Sequence, residues 1–210
     1  ALEAICQSGT DAVVVGGSSG VTYDNTVELL ARIRRFEVPC ALEVTDLMAV
    51  VPGFDLYLVP IVLNGGDPGV IVGRHLEALK RYGRLLPTDL ALAAEGYVIA
   101  NPDCEAARVA QAKPVAPDDF AAYALYADRL LRLPIVYLEY SGVFGDLEAA
   151  RRMKAALARA RIWYGGGIDG AEKAAAAAEA ADTIVVGNVV YRSLADALAT
   201  VAAVREHFRN

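Results

Sequence analysis

The 210-residue sequence contains no apolar run near the roughly 18 residues that a transmembrane helix requires. Its 20 Lys and Arg residues form no basic run and are outnumbered by 26 acidic residues, which argues against nucleic acid as a main partner. The three cysteines (Cys6, Cys40 and Cys104) are an odd number without metal-ligand spacing. These absences predict a reduced, cytoplasmic protein with at most peripheral membrane contact.

Hydrophobic residues make up 55% of the chain and charged residues 22%, which excludes a disordered protein and allows a large buried core. Short apolar runs, typical of strands covered on both faces, recur along the chain. They are Asp11–Val15, Pro39–Val44, Asp55–Pro60, Ala93–Ile99, Pro134–Tyr140, Arg161–Tyr164 and Thr183–Val186. Stretches of helical composition lie between most of them, namely Asp24–Phe36, Gly69–Tyr82, Asp118–Leu131 and Asp146–Ala160. This alternation predicts a parallel sheet with right-handed crossovers and, because no linker interrupts it, a single domain over residues 1–210.

The strand count favours a TIM (β/α)8 barrel whose first strand is absent from this chain. Seven strands are predicted, and Leu2–Cys6 before them resembles the end of a helix, which implies an earlier strand. An open doubly wound sheet is the alternative, because about 210 residues is short for a barrel. Glycine-rich loops after the last two predicted strands favour the barrel, in which the corresponding loops commonly hold a phosphate group.

Gly165–Gly167 and Gly187–Asn188 are these two loops. Glycine allows backbone N–H groups to approach an anion closely. A single loop of this kind is equally well explained as a tight turn. Two of them in adjacent loops of a barrel predict a phosphate site.

A second candidate region is Tyr137–Gly142, at the carboxyl end of the fifth predicted strand. Alternation along a strand places Tyr137 and Glu139 on one face, and Leu138 and Tyr140 on the other. A carboxylate at this end of a barrel strand lies on the catalytic face, so Glu139 is a candidate general base. The alternative is a structural glutamate bonded to a neighbouring loop.

The loop after the first predicted strand, Gly16–Thr22, contains three glycines and three hydroxyl residues. Such a loop suits a diphosphate or a hydrated Mg²⁺, although a flexible loop before a helix explains it equally well. Glu43 ends the second predicted strand and Asn64 follows the third, so both are expected to point toward the active face.

Six segments of the chain, taken together and in order, resemble the geranylgeranylglyceryl/heptaprenylglyceryl phosphate synthase family, and its bacterial branch most closely. They are GTDAVVVGGSSGVT (Gly9–Thr22), VPGFDLYLVPIVLN (Val51–Asn64), AEGYVIANPDC (Ala94–Cys104), YLEYSGVFGD (Tyr137–Asp146), YGGGI (Tyr164–Ile168) and VVGNVVY (Val185–Tyr191). The combination of YLEYSG, YGGG and VGN is specific, and the likeness extends over essentially the whole chain.

The resemblance implies a TIM-barrel prenyltransferase that uses Mg²⁺ to join a polyprenyl diphosphate to sn-glycerol 1-phosphate as an ether, and that forms a homodimer. It implies glycerol phosphate contacts from Tyr137, Leu138, Glu139, Tyr140, Ser141, Gly142, Gly167, Gly187 and Asn188. It places Ser18 at the hydroxyl position that helps to hold Mg²⁺. Ala78 matches the family's ruler position, where a small residue allows a longer tail, here heptaprenyl. In this mechanism Glu139 takes the proton, and Tyr137 or Tyr140 lines the site of the allylic cation.

The sequence departs from the family's pattern at its start. The family carries a lysine for glycerol phosphate and an aspartate for Mg²⁺ on the first barrel strand, and no residue here matches either. The expectation is that an N-terminal segment is missing from this chain, since seven strands would leave two open sheet edges. Two alternative functions stay open, a phosphate-binding barrel isomerase or synthase, and a non-catalytic binding protein for an apolar phosphate.

Overall fold

Seven parallel strands form the centre of the computed structural model, which describes residues 1–17, 19–84 and 91–208. The strands are β1 (Val13–Val15), β2 (Cys40–Glu43), β3 (Leu56–Val62), β4 (Leu92–Ile99), β5 (Ile135–Glu139), β6 (Arg161–Gly165) and β7 (Thr183–Val185). They pair in sequential order, each with the next strand along the chain. Sequential parallel order is the arrangement of a (β/α) barrel, and it differs from the reversed order of a doubly wound sheet.

Helices connect the strands. They are α1 (Leu2–Cys6), α2 (Tyr23–Ile33), α3 (Gly73–Tyr82), α4 (Glu105–Ala110), α5 (Asp119–Leu125), α6 (Leu147–Ala156), α7 (Ala171–Ala180), α8 (Val189–Arg192) and α9 (Leu194–His207). Short 3₁₀ turns cover Leu47–Ala49 and Pro68–Val70, and a π-helical segment, Tyr126–Leu130, continues α5. Local side chains define several starts: the Thr22 hydroxyl accepts a hydrogen bond from the Asn25 N–H, and the Ser193 hydroxyl caps α9 in the same way.

Each strand presents one face to the helices and the other to the interior of the curled sheet. On β5, Val136 and Leu138 are completely buried against the helices, in a core that includes Met153 of α6 and Ala177 of α7. The alternate residues of β5 face inward, where Tyr137 is level with Tyr97 of β4. The small alanines on α6 and α7 let these helices lie close to the sheet.

The sheet curls, so that its first and last strands face a common interior. Val14 of β1 and Val185 of β7 line the same cavity. The chain ends also meet, because the Arg205 guanidinium donates a hydrogen bond of 3.0 Å to the carbonyl oxygen of Gly9. The structure therefore confirms the predicted fold class, with seven strands of a TIM barrel and its helices on the outside.

Two of the predicted helical stretches, Asp24–Phe36 and Asp146–Ala160, end three and four residues earlier in the structure, as α2 and α6. The other two are divided. The stretch Gly69–Tyr82 divides into a 3₁₀ turn at Pro68–Val70 and α3, which begins only at Gly73. The stretch Asp118–Leu131 is wound as α5 and then as a π segment. Within the described ranges, no helix is long and apolar enough to cross a bilayer.

Candidate active site

A cavity of about 2440 Å³ opens at the carboxyl ends of the strands. In a parallel barrel the carboxyl ends of all strands lie on one face, which explains how residues distant in sequence meet there. Eight of the predicted site residues line the cavity, namely Ala78, Tyr137, Glu139, Ser141, Gly142, Gly167, Gly187 and Asn188.

Three other predicted site residues are placed differently. Leu138 and Tyr140 do not line the cavity, because alternation along β5 turns both side chains into the helix-facing core. Their side chains therefore point away from the cavity, and of the two predicted tyrosines Tyr137 is the one that lines it. Ser18, the predicted metal-binding hydroxyl, lies outside the described residues.

Glu139 ends β5 with its carboxyl group in the cavity, although only 7% of the residue is exposed. The carboxylate accepts a hydrogen bond from the backbone N–H of Ser141. Burial raises the pKa of Glu139 to about 7, with a smaller contribution from the charge of Glu43, while hydrogen bonds from Ser141 and Tyr137 oppose the rise. An acid with this pKa can both accept and release a proton near neutral pH.

Two stacked tyrosines stand beside Glu139. The rings of Tyr97 and Tyr137 lie 4.3 Å apart with an angle of 8° between their planes. The Tyr97 hydroxyl donates a hydrogen bond to the carboxylate of Glu43, which confirms the expectation that Glu43 faces this end of the barrel. The hydroxyl of Tyr137 lies against the α-carbon of Gly165, where any Cβ would overlap it. Gly165 is therefore needed at this position to leave room for the tyrosine.

Glu95 is an unexpected buried acid on the inner face of β4. It is completely buried, and neither of its carboxylate oxygens has a hydrogen-bond partner among the described residues. Burial, with an added contribution from the nearby Glu43, raises the pKa of Glu95 to about 9. The group is therefore neutral at pH 7, which is how a fully buried acid avoids the cost of an unpaired charge.

The two glycine-rich loops play different parts. Gly166 and Gly167 have positive φ angles of 131° and 61°, and their backbone packs so closely on the loop after β5 that a Cβ at either position would overlap it. Gly187 faces open space instead, with no atom of the described residues within 4 Å of its Cβ position, and it lines the cavity together with Asn188. The first loop shapes the site, and the second leaves room for an anion.

Arg192 is a cavity residue that the sequence analysis missed. It lies at the end of α8, four residues after Asn188, and lines the same cavity. The pKa of Asp169 in the loop after β6 is lowered mainly by its hydrogen bond with Lys173, and the charge of Arg192 adds a small contribution, so the loops after β6 and β7 are neighbours. The sequence could have indicated Arg192 through its spacing from Asn188, because residues four apart lie on one face of a helix.

Asn64 was expected to point into the site, and that prediction was wrong. Its amide Nδ2 donates hydrogen bonds of 2.9 Å to the Ile99 carbonyl and 2.8 Å to the Lys113 carbonyl, and its Oδ1 accepts from the Ile99 N–H. A side chain with its donors and acceptor used on the backbone has a structural role. Asn101 acts similarly, donating to the Ser141 carbonyl at 2.6 Å and so holding the loop beyond Glu139.

The part of the cavity wall formed by α3 and by the segments after β2 and β3 is rich in apolar side chains. Ala78 of α3 lines it with a small side chain that leaves the passage open. This part of the wall also contains Val44, Met48, Phe54, Val70, Leu79 and Leu92, together with the polar side chains of Arg74, His75, Glu77 and Arg81 on α3. An elongated apolar ligand with an anionic head fits this division of the cavity.

A family model described as the PcrB family matches residues 1–205. The heptaprenylglyceryl phosphate synthase of Geobacillus kaustophilus (strain HTA426) is 56% identical over 206 residues, which are 98% of this chain and 86% of that protein. The protein of the same name from Bacillus subtilis (strain 168) is 54% identical over 205 residues, 97% of this chain and 89% of the relative.

Solved structures share the fold. The (S)-3-O-geranylgeranylglyceryl phosphate synthase of Thermoplasma acidophilum, solved with its substrate sn-glycerol-1-phosphate, superimposes with a TM-score of 0.86 at 26% identity, covering 100% of this chain and 86% of that one. An aldolase, QR15, gives a TM-score of 0.56 at 15% identity, covering 99% of this chain and 86% of the aldolase, and supports the fold alone.

Proposed function

This chain belongs to the PcrB family, and from that premise we propose that it transfers a heptaprenyl group from its diphosphate to the primary hydroxyl of sn-glycerol 1-phosphate. Because its sequence is more than 50% identical to those of heptaprenylglyceryl phosphate synthases, the chain is a prenyltransferase that forms glyceryl phosphate ethers. The tail length, the metal and the residue roles are the finer proposal. Glu139 carries it, as a buried acid with a pKa of about 7 in a cavity that has an open glycine loop and a wall rich in apolar side chains.

The phosphate of sn-glycerol 1-phosphate binds beside Gly187 and Asn188. The open space at Gly187 admits an anion, and backbone N–H groups there can donate to phosphate oxygens. The guanidinium of Arg192 lines the same part of the cavity and supplies positive charge. Ser141 and Gly142 lie beyond Glu139 in the same cavity, so they can contact the glycerol moiety next to the base.

The polyprenyl tail lies in the apolar part of the cavity. Burial of hydrocarbon contributes roughly 0.8 kcal/mol per CH₂ group, so a long tail binds strongly in a groove of this composition. Ala78 lets the tail pass along α3, and a bulky residue at that position would stop it. The small side chain of Ala78 supports a heptaprenyl substrate in preference to a shorter one.

The reaction exchanges one carbon–oxygen bond for another. The bond between the allylic carbon and the diphosphate breaks with its electron pair leaving on the diphosphate, and positive charge develops on the carbon. Tyr137 lines the cavity beside Glu139, and the face of its ring that is not stacked on Tyr97 can stabilise the charge through its π electrons. The primary hydroxyl oxygen of glycerol phosphate forms the new bond, and its proton passes to the carboxylate of Glu139.

Dependence on Mg²⁺ is part of the proposal through the family resemblance alone. Among the described residues no three His, Cys, Asp or Glu side chains gather to hold a metal ion, and Ser18 lies outside those residues. The donor groups described therefore do not form a metal centre by themselves, so none of the described residues is assigned to the metal. EDTA should abolish turnover and added Mg²⁺ should restore it, whereas full turnover in EDTA would remove the metal from the proposal.

The decisive experiment is incubation with sn-glycerol 1-phosphate, Mg²⁺ and a ladder of polyprenyl diphosphates, with products identified by mass. We expect an ether whose yield peaks at the heptaprenyl tail. Glu139→Gln should lower kcat by about 10²–10⁴-fold, the range for loss of a general base, because the amide cannot accept the proton. Glu179→Gln on the exposed surface of α7 is the matched control and should leave kcat unchanged.

Binding measurements separate the chemical role of Glu139 from a structural one. Calorimetric titration with sn-glycerol 1-phosphate should give similar affinities for the wild-type protein and Glu139→Gln. Unchanged turnover in the variant would exclude Glu139 as the base, and loss of binding together with folding would assign it a structural role. Homodimer formation stays a prediction, which sedimentation velocity can test.

A further inference from the structure

The mouth of the apolar groove carries exposed apolar side chains that the reaction does not use. Val72, Leu76 and Leu79 follow one another at spacings of four and three residues, so they lie along one face of α3. Met48, Leu79 and Leu92 also line the cavity. Each of these five residues, here called the mouth patch, has 51–62% of its surface exposed.

The packing of α3 is unusual for a helix on the outside of a barrel. Such a helix normally buries an apolar stripe against the sheet. In α3, no side chain that the structure describes is buried. The apolar face formed by Val72, Leu76 and Leu79 is turned to solvent instead, next to the entrance of the groove. Exposed apolar side chains gathered on one helix face mark a candidate interaction site.

The same helix is cationic in a chain with a net charge of −6. It contains Arg74, Lys80 and Arg81 against a single acid of its own, Glu77, while Arg74 also lies 3.9 Å from Asp67, which precedes the helix. Lys80 pairs with Glu77 at 2.7 Å, but both side chains are about two-thirds exposed. Exposed pairs contribute little stability, so an anionic surface can compete for the lysine. An apolar stripe flanked by cations is typical of helices that lie in the interface of an anionic membrane.

We propose that the mouth patch docks on an anionic lipid bilayer, from which the polyprenyl diphosphate enters the cavity. The inference rests on the proposed function, because a tail of that length dissolves in a bilayer and not in water. Leu79 belongs both to the mouth patch and to the wall of the groove. A tail leaving the bilayer at α3 therefore reaches Ala78 without crossing water.

The size of the effect follows from the groups involved. Moving one exposed leucine side chain into the bilayer interface strengthens binding by about tenfold. One cation near an anionic surface contributes about fivefold. The apolar and ionic contributions can be separated, because neutral vesicles retain the first and lack the second.

Co-flotation with phosphatidylcholine vesicles, with and without phosphatidylglycerol, tests the docking surface. We expect the protein to bind the anionic vesicles and Leu76→Asp to bind them at least about tenfold more weakly. Lys80→Gln should bind anionic vesicles about fivefold more weakly and neutral vesicles equally well. The matched control is Leu130→Asp on the π-helical segment, where the leucine is 72% exposed, and it should bind like the wild type.

Failure of the wild type to bind, or equal losses in Leu76→Asp and Leu130→Asp, would overturn the proposal. So would a Leu76→Asp variant that binds vesicles normally but sediments as a smaller species, because the patch would then be an interface between two copies of the chain. These binding measurements need no turnover, so their outcome is independent of the proposed reaction.

Activity measurements then separate the membrane from the chemistry. With water-soluble geranyl diphosphate, Leu76→Asp should turn over as the wild type does, since Leu76 does not line the cavity. With long-chain polyprenyl diphosphate in limiting anionic vesicles, turnover of the variant should fall about tenfold. Equal turnover from vesicles would refute docking, whereas absence of turnover with every diphosphate would refute the proposed function and leave the binding result intact.

Discussion

The rate of the proposed reaction should depend on pH through Glu139. Burial raises the pKa of this acid to about 7, and the base must be ionised to accept the proton. The ionised fraction then rises from about one-eleventh at pH 6 to about ten-elevenths at pH 8, so kcat should rise about tenfold over this interval. A glutamate with an ordinary pKa would be almost fully ionised at both values, and kcat would change by only a few per cent.

Two substitutions should move the acid limb of the pH profile, the rise in kcat between pH 6 and 8, in opposite directions. Ser141→Ala removes a side-chain hydrogen bond that lowers the pKa of Glu139, so the pKa rises and the limb moves to higher pH. Glu43→Gln removes a neighbouring negative charge that raises the pKa, so the limb moves to lower pH. Loss of activity through simple structural damage would lower kcat at every pH without displacing the limb.

The assay is kcat for the ether product, measured by mass at saturating concentrations of both substrates over the pH range from about 5.5 to 9. Saturation matters because kcat then reports the base in the bound complex. A flat profile between pH 6 and 8 would refute the assignment of Glu139. Displacement of the limb in the same direction by both variants would refute the electrostatic account, even if Glu139 were essential.

Three further predictions concern stability and specificity. In the folded protein Glu95 has a pKa of about 9 and stays neutral below that pH, whereas in the unfolded chain it ionises above about pH 4.5. The free energy of unfolding should therefore fall by roughly 3 kcal/mol as pH rises from 4.5 to 7. Urea unfolding against pH should show this slope in the wild type and a flatter dependence in Glu95→Gln, and equal slopes would mean that Glu95 is ionised in the folded state. Gly165→Ala should cost about 1–3 kcal/mol in the same assay and lower kcat, because a methyl group overlaps the Tyr137 hydroxyl, while Gly187→Ala should leave stability unchanged. Ala78→Trp should shorten the preferred tail from about seven isoprene units to about four, because the larger side chain overfills the groove. An unaltered distribution of product lengths would contradict the role of Ala78 in setting tail length.

The strands were the most predictable part of the fold. Every predicted strand end lies within two residues of the observed end. The reason is that a strand covered on both faces must be apolar along its whole length, and this shows as a continuous run in the sequence. Helix ends were harder to place. The separation of the turn Pro68–Val70 from α3, for example, depends on how the chain packs after β3.

The local sequence pattern also predicted which residues of β5 face the cavity. Alternation along one strand correctly separated Tyr137 and Glu139 from Leu138 and Tyr140. Position after a strand was a poorer guide, as Asn64 shows. A strand-end position states where the backbone is, but the partners of an amide side chain come from distant segments, here Ile99 and Lys113.

The sequence sufficed for the parallel barrel, for its family, and for Glu139 on the catalytic face, because periodicity and short motifs are local properties. Tertiary packing decided the chemistry of each group. The pKa of Glu139 depends on burial and on neighbours from other strands, and the isolation of Glu95 depends on the lack of a hydrogen-bond partner in the described part of the chain. The exposed face of α3 is likewise a matter of packing, since its leucines look like core residues until the barrel is seen to leave them uncovered.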